Sequence, residues 1–216
     1  MIGGCCSFEG EARRQFDSRK AAKELSLYRK RGPGVTTRLL RDGIKQAHGL
    51  PGRVLDIGTG IGTLTLELLQ NGTSHAVGID ASPAFLAVAR EEATRRGLQN
   101  RVTFVEGDFL RVAGDLEPAD VVALDRVVCC YPLHEPLLAE ALRHASRCFA
   151  LSYPRDKFYV RAGMALENRQ RCFKSNPFRT YVHPPEAMER IVRDAGFMLV
   201  SRRETWVWSA DVYLRD

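Results

Sequence analysis

Val54-Leu55-Asp56-Ile57-Gly58-Thr59-Gly60-Ile61-Gly62 decides how this chain reads. An apolar strand delivers an acid and then three glycines at every second position. Thr63-Leu64-Thr65-Leu66-Glu67-Leu68-Leu69 follows with the composition of a helix. Glycines so spaced let the backbone turn tightly and approach a bound ligand with no Cβ in the way. The dinucleotide fingerprint G-x-G-x-x-G asks for a third glycine three residues after the second. Counted from Gly58, that position is Thr63, so the NAD pattern fails.

The signals on either side agree with a strand–turn–helix frame. Ala76-Val77-Gly78-Ile79 reads as a second strand ending at Asp80, 22 residues past Gly58. An acid at that distance is placed to accept hydrogen bonds from ribose hydroxyls. Val102-Thr103-Phe104-Val105 reads as a third strand, followed by Glu106-Gly107-Asp108-Phe109. Val121-Val122-Ala123-Leu124 reads as a fourth, ending in Asp125, and Cys148-Phe149-Ala150-Leu151-Ser152-Tyr153 as a fifth. Strands alternate with helical stretches from Gly52 to about Tyr153, which predicts a doubly wound α/β sheet with its acids gathered at the carboxyl edge.

The alternation D-x-G-x-G-x-G, with those acids in that order, resembles the first motif of the class I S-adenosylmethionine (SAM)-dependent methyltransferases. Within them it is most similar to the small-molecule enzymes of ubiquinone/menaquinone and magnesium-protoporphyrin biosynthesis. The resemblance is specific over residues 53–125, looser to 154 and architectural beyond. It implies a Rossmann-like, seven-stranded, mostly parallel sheet with helices on both faces, N-terminal helices and a lid inserted after strand five. It also implies SAM as cofactor, S-adenosyl-L-homocysteine as product and no metal. Cofactor contacts then fall to Asp56, Gly58, Thr59, Gly60, Gly62, Asp80, Ala81, Asp108, Phe109 and Asp125. Asp108 would hold the adenine amino group with Phe109 against the ring, and the loop after Asp125 would pass under the methyl-bearing sulfur.

The whole chain, 1–216, reads as one domain in four stretches. Residues 1–50 form a helical cap and 51–154 the cofactor core. Residues 155–183 form the lid, and 184–216 a helix with the sixth and seventh strands. Glu11 to Tyr28 reads as helix and Gly32-Pro33-Gly34 ends it, with proline suited to open the next. Val35, Leu39, Leu40, Ile44 and Ala47 then recur at helical spacing. Phe197-Met198-Leu199-Val200 reads as the sixth strand, and Trp206-Val207-Trp208 with Val212-Tyr213-Leu214 as the seventh.

The net charge of +6 is unevenly spread. Residues 1–45 carry eleven basic and five acidic side chains, and 155–182 carry seven against two. The core between them has nine against thirteen. Two basic blocks meeting over one pocket make a positive mouth, which concentrates anionic ligands. An insertion leaving the carboxyl edge of the sheet is positioned as a substrate lid. Arg155, Arg161, Arg169 and Arg171 are its candidate carboxylate or phosphate clamps, with Phe158, Tyr159 and Tyr181 as apolar walls. The expectation is a small, anionic or carboxylate-bearing acceptor.

Methyl transfer from a sulfonium is an in-line displacement in which alignment supplies much of the acceleration. A hydroxyl or amine acceptor gains from a general base, and His134 and His183 are the candidates. Tyr131 is a candidate to line the methyl channel, and Tyr28 to reach it from the N-terminal helix.

Six cysteines include two adjacent pairs, Cys5-Cys6 and Cys129-Cys130, and no C-x-x-C spacing. Met1-Ile2-Gly3-Gly4-Cys5-Cys6 lacks the charged region and apolar block of a signal peptide, and no stretch approaches the roughly 20 apolar residues of a membrane span. The expectation is a cytoplasmic protein with reduced thiols. Oligomeric state is not readable. Other readings stay open: an RNA methyltransferase, capture and methylation of a thiophilic metalloid through the vicinal cysteines, or a non-catalytic SAM-binding protein.

Overall fold

A computed structural model describes residues 8–49 and 52–216; Cys5-Cys6 lie outside the described residues. The chain begins with α1 (Phe8–Gln15), α2 (Ser18–Arg31) and α3 (Val35–His48). It then alternates β1 (Arg53–Ile57), α4 (Thr63–Gln70), β2 (His75–Asp80), α5 (Pro83–Arg95), β3 (Val102–Glu106), α6 (Phe109–Val112), β4 (Ala119–Asp125), α7 (His134–His144) and β5 (Ala145–Pro154). It closes with α8 (Phe158–Phe173), α9 (Pro185–Asp194), β6 (Phe197–Glu204) and β7 (Trp208–Arg215). Sheet order is β3-β2-β1-β4-β5-β7-β6. The first five strands are parallel, and β7 enters antiparallel between β5 and β6.

Both sheet faces are buried, which is why the central strands read as continuous apolar runs. Successive residues alternate between two cores. Leu55, Val122, Leu124, Phe149 and Leu151 face α7 and α9. Val54, Val121, Ala123, Cys148 and Ala150 face α3 and α4. A third, smaller cluster joins Ala21, Leu25 and Tyr28 of α2 to Ile61 of the glycine turn and Phe85 of α5. That cluster seats the N-terminal helices over the carboxyl edge.

Three sequence expectations are revised. The continuous helix read from Glu11 to Tyr28 is two helices, because Asp17 adopts extended backbone and its carboxylate accepts from the Lys20 N–H at 2.8 Å. Such a cap satisfies an N–H that otherwise has no partner. The lid stretch contains the 16-residue helix α8, masked in the sequence because only one of its residues, Val160, is buried. The seventh strand starts at Trp208; Trp206 and Val207 sit in the β6–β7 turn, where the Thr205 hydroxyl accepts from the N–H groups of Val207 and Trp208. Among the described residues, no helix is long and apolar enough to cross a membrane.

Candidate active site

The β1–α4 turn is built on an acid that stays beneath it. Asp56 is 1% exposed, and its Oδ2 accepts from the hydroxyls of Thr59 (2.8 Å) and Thr65 (2.7 Å). Its Oδ1 is buried and has no hydrogen-bond partner among the described residues. Burial pushes the carboxyl up to about 7 against the pull of those hydroxyls. Asp56 and Thr59 thus position the turn from below rather than facing the crevice. Gly58 has φ +67°, and a Cβ there would lie 2.5 Å from Val127 Cγ2, so the position admits no side chain. Gly62 caps α4 against Ala89 and Phe104 and also lies away from the crevice.

At the end of β2, Asp80 Oδ2 accepts from the Gly60 N–H at 2.9 Å and Oδ1 from the Ser82 N–H at 2.8 Å. Burial lifts Asp80 to about 6, opposed by those two N–H donors. The carboxylate is therefore aimed by backbone, with lone pairs left for a ligand. One cavity of about 280 Å³ brings together Gly58, Gly60, Asp80, Ala81, Phe109 and Asp125. They come from the ends of β1, β2, β3 and β4, and the strand order reverses between β1 and β4, where open α/β sheets bind ligands. Asp108 does not line the cavity: its Oδ1 accepts the Tyr131 hydroxyl at 2.6 Å and the Leu110 N–H.

Asp125 lines the same cavity, with Oδ2 accepting from Thr37 and Oδ1 from Ser152, each at 2.6 Å. The next residue, Arg126, is held at φ +61° by its N–H to the Ser152 hydroxyl (2.8 Å). This left-handed residue bends the chain so that Val127, Cys129, Cys130 and Tyr131 return to the cavity. Burial, then the Asp108 charge, raise the Tyr131 phenol far above its ordinary range, so it serves as a donor and not as a base.

The two histidines brace this loop. His183 Nε2 lies 2.9 Å from the Tyr131 carbonyl oxygen and 3.2 Å from that of Val128, and its ring lies tilted at 38° against that of His134, with centroids 4.3 Å apart. Burial lowers both imidazoles, so both are neutral at pH 7. Neither lines the cavity. Tyr28 is likewise structural: its hydroxyl donates to Glu67 at 2.8 Å, under the Arg96 guanidinium.

Of the lid arginines chosen from sequence, only Arg171 lines the cavity. Arg155 is taken by Glu204 and the Thr205 carbonyl, Arg161 by Asp156, and Arg169 lies over Phe173. The Tyr159 hydroxyl donates to the Trp206 carbonyl, and Phe158 is 84% exposed. None lines the cavity. The face of α8 that does carries Met164, Glu167 and Arg171, at intervals of three and four residues. Arg171 donates to Asn168 and Thr180, pairs with Glu167 and lies over the Phe178 ring. From the other side α1, α2 and the link between them contribute Phe8, Phe16, Lys20 and Glu24. Lys20 was missed; the capped helix start that turns it inward was the available signal. Its ammonium sits over the Phe16 ring at 4.2 Å, and among the described residues it has no ion pair.

Residues 54–150 match the family described as "Methyltransferase domain". That stretch of the chain is a methyltransferase domain. It is 33% identical over 76 residues to a ribosomal protein L11 methyltransferase of Deinococcus radiodurans, covering 35% of this chain and 28% of that one. It is 44% identical over 61 residues to a demethylmenaquinone methyltransferase of Thermus thermophilus, covering 28% and 27%. The chain thus spans less than a third of the length of the curated relatives it matches first. Among solved structures, magnesium protoporphyrin IX methyltransferase from Synechocystis PCC 6803, crystallised with SAM, superimposes with a TM-score of 0.75 over 100% of both chains at 19% identity. An O-methyltransferase family protein from Burkholderia thailandensis gives 0.74 at 19% identity, over 98% of this chain and 64% of that one. At such identities the superpositions establish the fold of the methyltransferase domain and its flanks.

Proposed function

We propose that this chain transfers a methyl group from SAM to a small anionic acceptor. The supporting observation is a single cavity that joins Gly60, Asp80 and Phe109 to the ammonium of Lys20, which lies over the Phe16 ring and has no ion pair among the described residues. Bound there, SAM would supply an electrophilic methyl on a sulfonium that leaves as a neutral thioether.

The cofactor half offers what a nucleoside needs. Asp80 accepts from ribose hydroxyls, Phe109 lies against the base, and the glycine turn lets the chain approach. Asp108, engaged by Tyr131, holds the adenine pocket's wall instead of reaching the amino group. In the acceptor half, Lys20, Arg126 and Arg171 supply positive charge, and Phe16, Met164, Phe178 and Trp208 supply apolar walls. Lys20 pairs with the acceptor's anionic group and Arg171, braced by Glu167 and Thr180, holds it in line. A carboxylate acceptor needs no base, which suits a cavity whose lining includes neither His134 nor His183.

The test is incubation of the full chain with methyl-tritiated SAM and fractionated cell extract. Label in small acidic metabolites is expected. Label confined to RNA or protein would overturn the acceptor, and SAM binding without any transfer would overturn the catalytic reading.

A further inference from the structure

Cys129 and Cys130 line the cavity, yet methyl transfer to an oxygen acid leaves them without a part. Adjacent residues on an extended strand point their side chains to opposite faces. Here the left-handed Arg126 and the single turn of 3-10 helix at Val128–Cys130 undo that. Both sulfurs come to the same acceptor, the Arg126 carbonyl oxygen, at 3.4 Å from Cys129 Sγ and 3.6 Å from Cys130 Sγ. Two thiols therefore converge on one side of one loop, in a cavity with a polar far wall.

Their electrostatics divide them. The Cys129 thiol shares its proton toward Cys130 and lowers it below the ordinary thiol range, and Lys20, Arg126 and Arg171 act in the same direction. Cys129 is raised correspondingly, by that contact and by burial. A thiol lowered in this way beside a second thiol gives up its proton more readily than a free cysteine, which favours reaction with soft electrophiles. The lid is tied to the same loop: the Tyr181 N–H donates to the Cys129 carbonyl at 2.8 Å.

We infer that Cys129 and Cys130 form a two-sulfur site for a trivalent oxo-metalloid, the chemical class of arsenous acid, on the acceptor side of the cavity. Soft sulfur ligands select soft acceptors. A bare soft metal ion fits less well: the charges bearing on Cys130 are positive, and among the described residues no three His, Cys, Asp or Glu side chains converge. A trivalent hydroxide carries no positive charge and needs only two sulfurs. In the binding step, two As–O bonds break and two As–S bonds form. The two thiol protons leave with two hydroxides as water, arsenic stays trivalent, and one As–OH remains for polar groups that line the same cavity, Lys20 and Thr180. The inference depends on the cavity and the loop, not on which acceptor is methylated.

Phenylarsine oxide is the probe, reacting as one As=O with two thiols to give two As–S bonds and one water. The full chain, fully reduced, is treated with one equivalent and read by intact mass, thiol titration and tryptic mapping. One adduct is expected, with two of the six thiols lost. Both should map to the peptide Val127–Arg143, and none to Met1–Arg13, which holds the comparison pair Cys5-Cys6. Cys129→Ser and Cys130→Ser should each weaken capture by about a hundredfold or more through loss of the chelate, and Cys172→Ser should not change it. An adduct on Met1–Arg13, or undiminished capture by the double variant, would overturn the site. Because Cys129 is buried, Cys130→Ser is the decisive single variant, with circular dichroism confirming its fold. Calorimetry with S-adenosyl-L-homocysteine on the same samples reads the cofactor half separately. Loss of metalloid capture with intact nucleoside binding counts against this inference alone.

Discussion

The two halves of the crevice are made differently. The cofactor half is carried by short turns at the ends of β1, β2 and β3, aimed largely by backbone: Asp80 by two N–H groups, the glycine turn by left-handed dihedrals. The acceptor half is assembled from side chains of α2, α8, the β4 loop and β7, segments more than 180 residues apart in the chain (Lys20 to Trp208). A sheet edge is rigid and its chemistry is local in sequence; a wall of helices is neither.

That contrast can be broken experimentally, and the largest effect belongs to the backbone-built half. Gly58→Val places a β-branched residue at φ +67° with its Cβ 2.5 Å from Val127. S-adenosyl-L-homocysteine affinity should fall by a factor on the order of a hundred or more, from strain and clash together. Calorimetric binding at wild-type strength would refute the turn's role. Next, Asp80→Ala removes a charged acceptor worth about 1.5–3 kcal/mol, or about ten- to a hundredfold in affinity. Its pH dependence follows from burial, which lifts Asp80 to about 6. The ionised form accepts from ribose, so affinity should weaken as pH falls through about 6 and hold steady above it. Asp80→Asn should flatten that profile, and an unchanged profile would remove Asp80 from the site.

The acceptor half should separate from the cofactor half. Lys20→Met should raise the acceptor KM by about tenfold, the scale of one charge-assisted contact, with S-adenosyl-L-homocysteine binding within twofold of wild type by about the same measurement error. If cofactor affinity falls equally, the two halves are not distinct. The smallest effect is expected for Arg161→Gln with Arg169→Gln. Both lie on the outer face of α8, so steady-state turnover should be unchanged; a clear loss would mean that the outer face meets substrate.

The sheet, its order of acids and the flanking helices were legible because periodicity and turn chemistry are local. Gly60 and Asp80, singled out by that turn chemistry, and Phe109, singled out by the family resemblance, all line the cavity. Asp56 and Asp108 read as ligand contacts because an acid after a strand carries no mark of whether it faces up or is capped by its neighbours. The lid misled more. Arg161 and Arg169 share composition with Arg171, and only the face of α8 distinguishes them; Arg155 lies ahead of that helix. That face is polar, so no apolar stripe announced the helix. Lys20 depended on a break at Asp17 that a continuous helical reading passes over.

Asp211 anchors β7 to its neighbours: its buried carboxylate receives the hydroxyls of Tyr153, Tyr213 and Ser209 and the guanidinium of Arg202. Since β7 lies between β5 and β6, the order of synthesis differs from the order of neighbours. While the ribosome is still short of Trp208, β6 has nothing to pair with and β5 keeps a bare margin, a template for the wrong strand. The wall bearing Trp208 is therefore complete only once β7 has paired with both of its neighbours.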